Sequence, residues 1–427
     1  MTVTEEFIAL CQSRGQQAAF VYKGRTVSYN QLLSDIYRMM ALFKSKHLAP
    51  GDKVLVLVLP SYELYLLLFA GLCYGLNLVV MDSYRDKKRI QAVLQSQQIR
   101  QVFCTGLTAL AKPLIGKKPD YIKIGQHVRF PDTPQDLCTD PNATVLTTFT
   151  SGTTGEPKPI CRSITDLHTQ IRIVSNNIQI HGDDIVFSML PIYTLFVIFS
   201  GMTCVIDSRI RSQQLKAQQV TAVLAPIAKL LQLGEPLSFV KRVSIGGAIL
   251  YPRQIDTLLS LFPNAAINYV YGSSECVLMA KTDLRAFRQT YAFQNGIDGI
   301  ALSIVNADAN GVGQVCVSGD VVLSDTKTQI TNDLGFLDEN GLHILGRRHF
   351  SAPGRYNYRL DRSLLSTHPE IQKGFSFVRD GVTYFCYEGR LTSAKEPAVR
   401  YIRFRKLPMD AKHKTKLDYQ KTTNRIK

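Results

Sequence analysis

The chain has 427 residues, 45% hydrophobic and 20% charged, a globular balance that excludes a disordered or fibrous polymer. That length exceeds what one core usually holds, so at least two domains are expected. The net charge of +16 favours anionic partners without choosing among them.

The N-terminus, MTVTEEFIAL, lacks a basic start followed by an apolar run, so no secretory signal is expected. The nine Cys are scattered singly, without a CxxC pair or metal-ligand spacing, a pattern that predicts reduced, mostly buried thiols in a cytoplasmic setting. VLVLVLP (54–60) predicts a buried strand and SYELYLLLFAGLCYG (61–75) an amphipathic helix. NLVVMD (77–82) and IRQVFC (99–104) predict further strands.

Residues 186–206, VFSMLPIYTLFVIFSGMTCVI, carry no charge and are long enough to cross a bilayer. Pro191 and Gly201 interrupt the run, so a buried strand plus a core helix is expected, and no transmembrane span. TAVLA (221–225), RVSIGG (242–247) and AAINYVYG (265–272) predict strands separated by helical stretches. Alternating strands and helices imply largely parallel sheets in a layered α/β domain. A more β-rich section follows, with GQVCVSGDVVL (313–323) and the turn-like DENG (338–341) before LHIL. From Gly346 onward the chain holds 19 Lys and Arg against 7 Asp and Glu, a balance of +12 in a small basic C-terminal region.

The strongest chemical signal is TTFTSGTTGEPKPI, residues 147–160. An apolar strand runs into a loop dense in Gly, Ser and Thr that ends in Lys158. Such a loop offers backbone N–H groups and hydroxyls to phosphate oxygens, and a lysine adds a point charge. The GxxxxGK[ST] spacing of a Walker loop is absent.

TSGTTGEPK resembles the phosphate-loop signature of the adenylate-forming superfamily, which includes acyl-CoA synthetases, peptide-synthetase adenylation domains and luciferases. Five further segments resemble the family's elements in the same order: TVSYNQLL (26–33), YGLNLVVMD (74–82), YVYGSSEC (269–276), GQVCVSGDVV (313–322) and TNDLGFLDENGLHILGRR (331–348). The resemblance implies a large multi-layered N-terminal α/β domain, residues 1–346, and a smaller, mobile α+β C-terminal domain, residues 347–427. It implies ATP and Mg²⁺ as cofactors, a carboxylic acid as substrate, and coenzyme A or an acidic acyl carrier protein as thiol partner, with no nucleic acid.

The same resemblance implies roles for individual residues. Thr150, Ser151, Gly152, Thr153, Thr154 and Gly155 would cradle phosphate, with Lys158 at the outer phosphates. Glu275 would hold Mg²⁺, a hard ion that wants oxygen ligands and bridges ATP phosphates. Tyr271 and Gly272 would lie against adenine, as would the Gly246–Gly247 turn. Ser274 stands where Thr is usual and can still reach the α-phosphate. Asp333 would accept from the ribose hydroxyls, and Arg347 would reach ribose or phosphate from a hinge at 346–350.

Departures from the family pattern cluster near the C-terminus. The hinge reads GRRHF, with His349 near the place of the usual Asp, and the ending reads LPMDAKHKTKLDY (407–419). Matching KLDY to the family's ending makes Lys416 the catalytic lysine; counting from LP makes it Lys414. Both departures resemble a subgroup that includes olefin-pathway β-lactone synthetases. Thr194 replaces a His common at the acyl-pocket mouth, and Pro159 replaces the usual Gly. The apolar TLFVIFSG from Thr194 onward reads as pocket lining for a hydrocarbon tail or as plain core. The expected function is acid activation followed by transfer to a thiol; adenylation ending in β-lactone closure, and a nucleotide-binding descendant without turnover, remain open. The basic tail, including Arg400, Arg403 and Arg405, is expected to favour an acidic partner.

Overall fold

A computed structural model describes residues 2–81, 86–111, 119–150, 158–178, 180, 182–309, 311–347, 358–368, 370–392, 397–409 and 419–426. It is a mixed α/β protein that divides into two compact units. The first comprises residues 1–225, 239–243 and 273–277; the second comprises 226–238, 244–272 and 278–427.

The first unit holds a six-stranded sheet in the order Asp120–Lys123, Gln101–Cys104, Lys53–Leu57, Asn77–Val80, Thr144–Thr150, Lys158–Ser163. All neighbours are parallel except the last pair. Lys53–Leu57 (KVLVL) is buried at every position after Lys53, as a parallel strand covered on both faces must be. The helix Tyr62–Tyr74 that follows is not the amphipathic helix expected: with Glu63 its only charge, it is apolar almost all round and correspondingly buried. Gly75 ends it in the left-handed region, φ 81°, where a side chain would also strike Cys138.

A second set of strands in this unit runs Ala222–Leu224, Ile185–Ser188, Thr203–Ile206, Ala18–Tyr22, parallel throughout, with Arg25–Ser28 antiparallel beside the last. The candidate membrane run therefore resolves into a strand, the nine-residue helix Pro191–Phe199, and a second strand. Among the described residues no helix is long and apolar enough to cross a membrane. Leu195, Phe196, Val197 and Ile198 are packed in the core, so the TLFVIFSG stretch is core at these positions. Tyr29 ties this helix down: its hydroxyl lies 3.0 Å from the Ile198 carbonyl and 2.7 Å from that of Met202.

In the second unit Ala266–Tyr271 pairs antiparallel with Ala280–Asp283, which pairs with Asn295–Gly296. The β-rich section is a four-stranded antiparallel sheet of Ala301–Val305, Gly313–Ser318, Thr328–Asp338 and Gly341–Arg347. DENG is its hairpin turn, with the Asn340 N–H donating to the Asp338 carboxylate at 2.9 Å. Within GQVCVSGDVVL the strand ends at Ser318, where Gly319 turns the backbone.

The basic region contains Ile371–Arg379, Val382–Gly389 and Val399–Phe404 in one sheet, with the helix Tyr358–Thr367 against it. Strand side chains alternate between faces. Arg400 therefore shares a face with Ile402 and Phe404, and Arg403 lies on the opposite face with Tyr401.

Replacing Tyr29 by Phe should remove the hydroxyl from the buried Met202 carbonyl and leave the Ile198 carbonyl with the Gly201 N–H alone. We expect a loss of about 1–3 kcal/mol, read as a lowered urea midpoint with unchanged secondary structure by circular dichroism. An unchanged midpoint would mean that the hydroxyl does not anchor the helix.

Candidate active site

The phosphate-loop segment is carried by an antiparallel hairpin. Thr150, the last residue of one strand, is the register partner of Lys158, the first of the next. The hairpin thus brings the two ends of the loop together, while Ser151, Gly152, Thr153, Thr154 and Gly155 lie outside the described residues. Lys158 is exposed. Pro159 lies on Lys158–Ser163, the edge strand of its sheet, which is where strands accommodate proline. Within the hairpin, the Thr147 hydroxyl donates to Asn77 Oδ1 at 2.9 Å.

Ile160 and Arg162 both point inward from the edge strand. Arg162 is only 2% exposed, yet it is held on three sides. Its Nε donates to Gln170 Oε1 at 3.0 Å, and its Nη1 to Thr148 Oγ1 at 2.8 Å. Its Nη2 donates to the backbone carbonyl of Ser274. Burial pushes its pKa down to about 10, against the opposing pull of Glu275 and Asp166, so it stays charged at neutral pH. Motif reading passed over Arg162. The inward parity of KPICRS was the available signal, since a strand edge facing a helix rarely buries a cation.

The Ser273–Cys276 turn belongs to the same unit. The Ser273 N–H donates to the Cys276 carbonyl at 2.8 Å, and Ser273 Oγ accepts from the N–H groups of Glu275 and Cys276 at 3.2 Å each. Ser274 is exposed and Glu275 half-buried. No described side chain hydrogen-bonds the Glu275 carboxylate. No group of three or more acidic, His or Cys side chains is poised for a metal among the described residues. A magnesium ion that arrives on nucleotide phosphates needs only one or two protein carboxylates, so a single half-buried Glu275 fits that ion.

Tyr271, Asp333 and the Gly246–Gly247 turn lie in the second unit. The Tyr271 hydroxyl donates to Asp333 Oδ2 at 2.9 Å, joining two residues that the sequence reading assigned separately. The Asp333 N–H in turn donates to Thr331 Oγ1, and the Thr331 hydroxyl donates to the Val315 carbonyl. The Tyr271 ring is buried, its centroid 5.7 Å from that of Phe293. Gly272, next to it, is half-buried. Arg347 is the register partner of Asp333. A Cβ at Gly246 would lie 2.7 Å from the Val270 carbonyl oxygen, so close strand packing excludes a side chain there. Gly247 has open space but a φ of 79°. Lys414, Lys416 and His349 lie outside the described residues. Thr194 is buried, with its hydroxyl donating to Ser188 Oγ at 2.8 Å.

Parallel strands whose carboxyl ends carry Gly-rich or acidic loops define a class of nucleotide-handling α/β proteins. Residues 9–324 match the family described as AMP-binding enzyme, and the chain belongs to that family. It is similar to an olefin beta-lactone synthetase of Stenotrophomonas maltophilia, 24% identical over 62% of this chain and 54% of that enzyme. The match thus spans about half of that enzyme's length. It is also similar to 4-coumarate–CoA ligase 1 of Petroselinum crispum, 21% identical over 82% of this chain and 76% of the ligase. Among solved structures, the fold is shared with o-succinylbenzoate coenzyme A synthetase of Bacillus subtilis in complex with ATP and magnesium ion. That match has a TM-score of 0.81 and 18% identity, covering 98% of this chain and 99% of that one.

Gly246→Ala should destabilise the protein by about 1–3 kcal/mol, because the backbone of the neighbouring strand must move. Gly247→Ala should lose about 1–2 kcal/mol through its left-handed φ alone. Denaturant melts of both variants measure this; wild-type midpoints would show that neither glycine is structurally required.

Proposed function

We propose that this protein is an ATP-dependent acid–thiol ligase that activates a fatty or related acyl acid as its adenylate. The observation that carries this reading is the hairpin that joins Thr150 to Lys158 around the TSGTTGEPK loop, in a chain of the AMP-binding family. The carboxylate oxygen attacks the α-phosphorus of ATP, the bond to the β-phosphate oxygen breaks, and pyrophosphate leaves. Thr150, Ser151, Gly152, Thr153, Thr154 and Gly155 bind the phosphates, with Lys158 and Ser274 beside them. Glu275 holds magnesium, which would supply charge neutralisation where negative groups must meet. Gly246, Gly247, Tyr271 and Gly272 receive the adenine, and Asp333 and Arg347 the ribose.

Lys416 bridges the acyl carboxylate and the α-phosphate. A hinge at 346–350 divides residues 1–346 from a mobile domain, 347–427, which turns to admit the acceptor. The acceptor is the phosphopantetheine thiol of coenzyme A or of an acidic carrier protein. Its sulfur attacks the acyl carbonyl and AMP leaves. Nine cysteines, none of them in a disulfide, support a reducing cytoplasmic setting. A second reading, favoured by the similarity to olefin beta-lactone synthetases, keeps the first step but closes the ring with a 3-hydroxyl oxygen in place of the thiol.

Exchange of labelled pyrophosphate into ATP should depend on both acid and Mg²⁺ across a panel of fatty, 3-hydroxy and aryl acids. Glu275→Gln should reduce it by about tenfold to a thousandfold. Folded protein that exchanges with no acid would overturn the enzymatic reading, and exchange with aryl acids alone would overturn the substrate class. Products formed with and without a thiol separate ligation from lactone closure.

Lys416→Ala should abolish most adenylate formation while ATP still binds, by about 10² to 10³ in rate. If Lys414→Ala is the crippling change, the catalytic lysine is Lys414. If both variants are near wild type, the terminal segment takes no part in adenylation.

A further inference from the structure

Arg162 is a buried cation without a buried anion in contact. Three of the five N–H donors that an arginine carries are engaged, all by neutral acceptors: Gln170, Thr148 and the Ser274 carbonyl. Among the described residues no carboxylate lies within ion-pair distance of it; Glu275 and Asp166 act on it only through space. A guanidinium removed from water in this way opposes folding unless its hydrogen bonds do something a plain aliphatic side chain cannot.

The surrounding groups show what it does. Gln170 turns its carbonyl to the guanidinium while its own amide nitrogen is buried without a partner. The opposite amide orientation would set donor against donor, so Gln170 is oriented by Arg162 and holds it in return. Thr148, on the neighbouring strand, fixes a second corner of the same plane. With two corners fixed, the third can point in only one direction, toward the Ser274 carbonyl. That carbonyl lies inside the turn that Ser273 also braces, through its N–H to the Cys276 carbonyl and its Oγ to the N–H groups of Glu275 and Cys276.

We propose that Arg162 is a positioning residue: anchored by Gln170 and Thr148, it clamps the Ser274 carbonyl and so fixes where the Glu275 carboxylate stands. The clamp ties the phosphate-loop hairpin to the acidic turn through one rigid, planar group, which lysine cannot reproduce because its single ammonium cannot span three acceptors. The consequence for magnesium rests on the reading of Glu275 given above; the clamp itself does not.

The test uses the full-length chain with Arg162→Met, Arg162→Lys and Gln170→Leu. Hydrogen exchange of the amides at 273–277, without ligand, should quicken by about tenfold in Arg162→Met, as expected for loss of a charge-assisted bond. It should quicken less in Arg162→Lys and Gln170→Leu, while amides of Lys53–Leu57 stay at wild-type rates. Unchanged exchange at 273–277 in any folded Arg162 variant, or equal quickening throughout the chain, overturns the clamp. The magnesium concentration for half-maximal pyrophosphate exchange should rise by about tenfold in Arg162→Met and by less than about twofold when Glu275→Gln is already present. A loosened turn with wild-type magnesium dependence would reduce Arg162 to a structural role. If wild-type protein exchanges with no acid, the adenylation reading fails, and hydrogen exchange still decides the clamp. Should Arg162→Met fail to fold, Gln170→Leu carries the same comparison.

Discussion

A parallel strand covered on both faces gives a polar side chain no route to water, and this constraint arranges much of the molecule. Lys53–Leu57 is apolar after its first residue, and its neighbour Asn77–Val80 is polar only at its start, where Asn77 accepts from Thr147. Several of the candidate site residues accordingly stand at strand ends. Thr150, Gly246 and Tyr271 are each the last residue of their strand. Open α/β sheets bind ligands at carboxyl ends because that is where the backbone leaves the sheet with unpaired N–H groups and room for loops.

Where side-chain pattern and backbone state coincide, the sequence was sufficient. KVLVL cannot be a solvent-facing strand; the helix after it, expected to be amphipathic, is instead buried almost all round, because one charge at its start does not make a polar face. The uncharged run over 186–206 was legible as interior because Pro191 starts a helix and Gly201, at φ 72°, turns the chain back into a strand. Turn chemistry carried DENG in the same way, since Asp338 accepts from the Asn340 N–H. The β-rich section is a four-stranded sheet, yet Val321–Leu323 at the far end of GQVCVSGDVVL are apolar without being sheet residues. Periodicity reports burial, and burial alone does not make a strand.

The candidate site was legible as residue types and not as relations. Tyr271 and Asp333 are 62 positions apart, and nothing local in either segment announces their hydrogen bond. Arg162 was marked only by strand parity, and a search for charge pairs would miss it. Its partners are a glutamine, a threonine and a backbone carbonyl, none of which carries the opposite charge that a sequence search would look for. The opposite faces taken by Arg400 and Arg403 follow from strand parity, which net charge cannot express.

Three buried charges show how differently such groups are accommodated. Asp184 is matched conventionally, by Arg242 at 2.7 Å and by the Thr221 hydroxyl at 2.6 Å. Asp35 accepts from Tyr62, Gln31 and Arg38, so its charge is shared between one cation and two neutral donors. Arg162 has neutral acceptors only. Along that series the Coulombic return falls while the demand on geometry rises, because neutral dipoles stabilise a charge only when they are aimed at it. Asp184 and Arg242 would tolerate small movements of either side chain, since attraction between full charges falls off slowly with distance. Arg162 would not, because a dipole turned away from it contributes little. The least tolerant of the three sites is therefore the one that joins the phosphate-loop hairpin to the acidic turn.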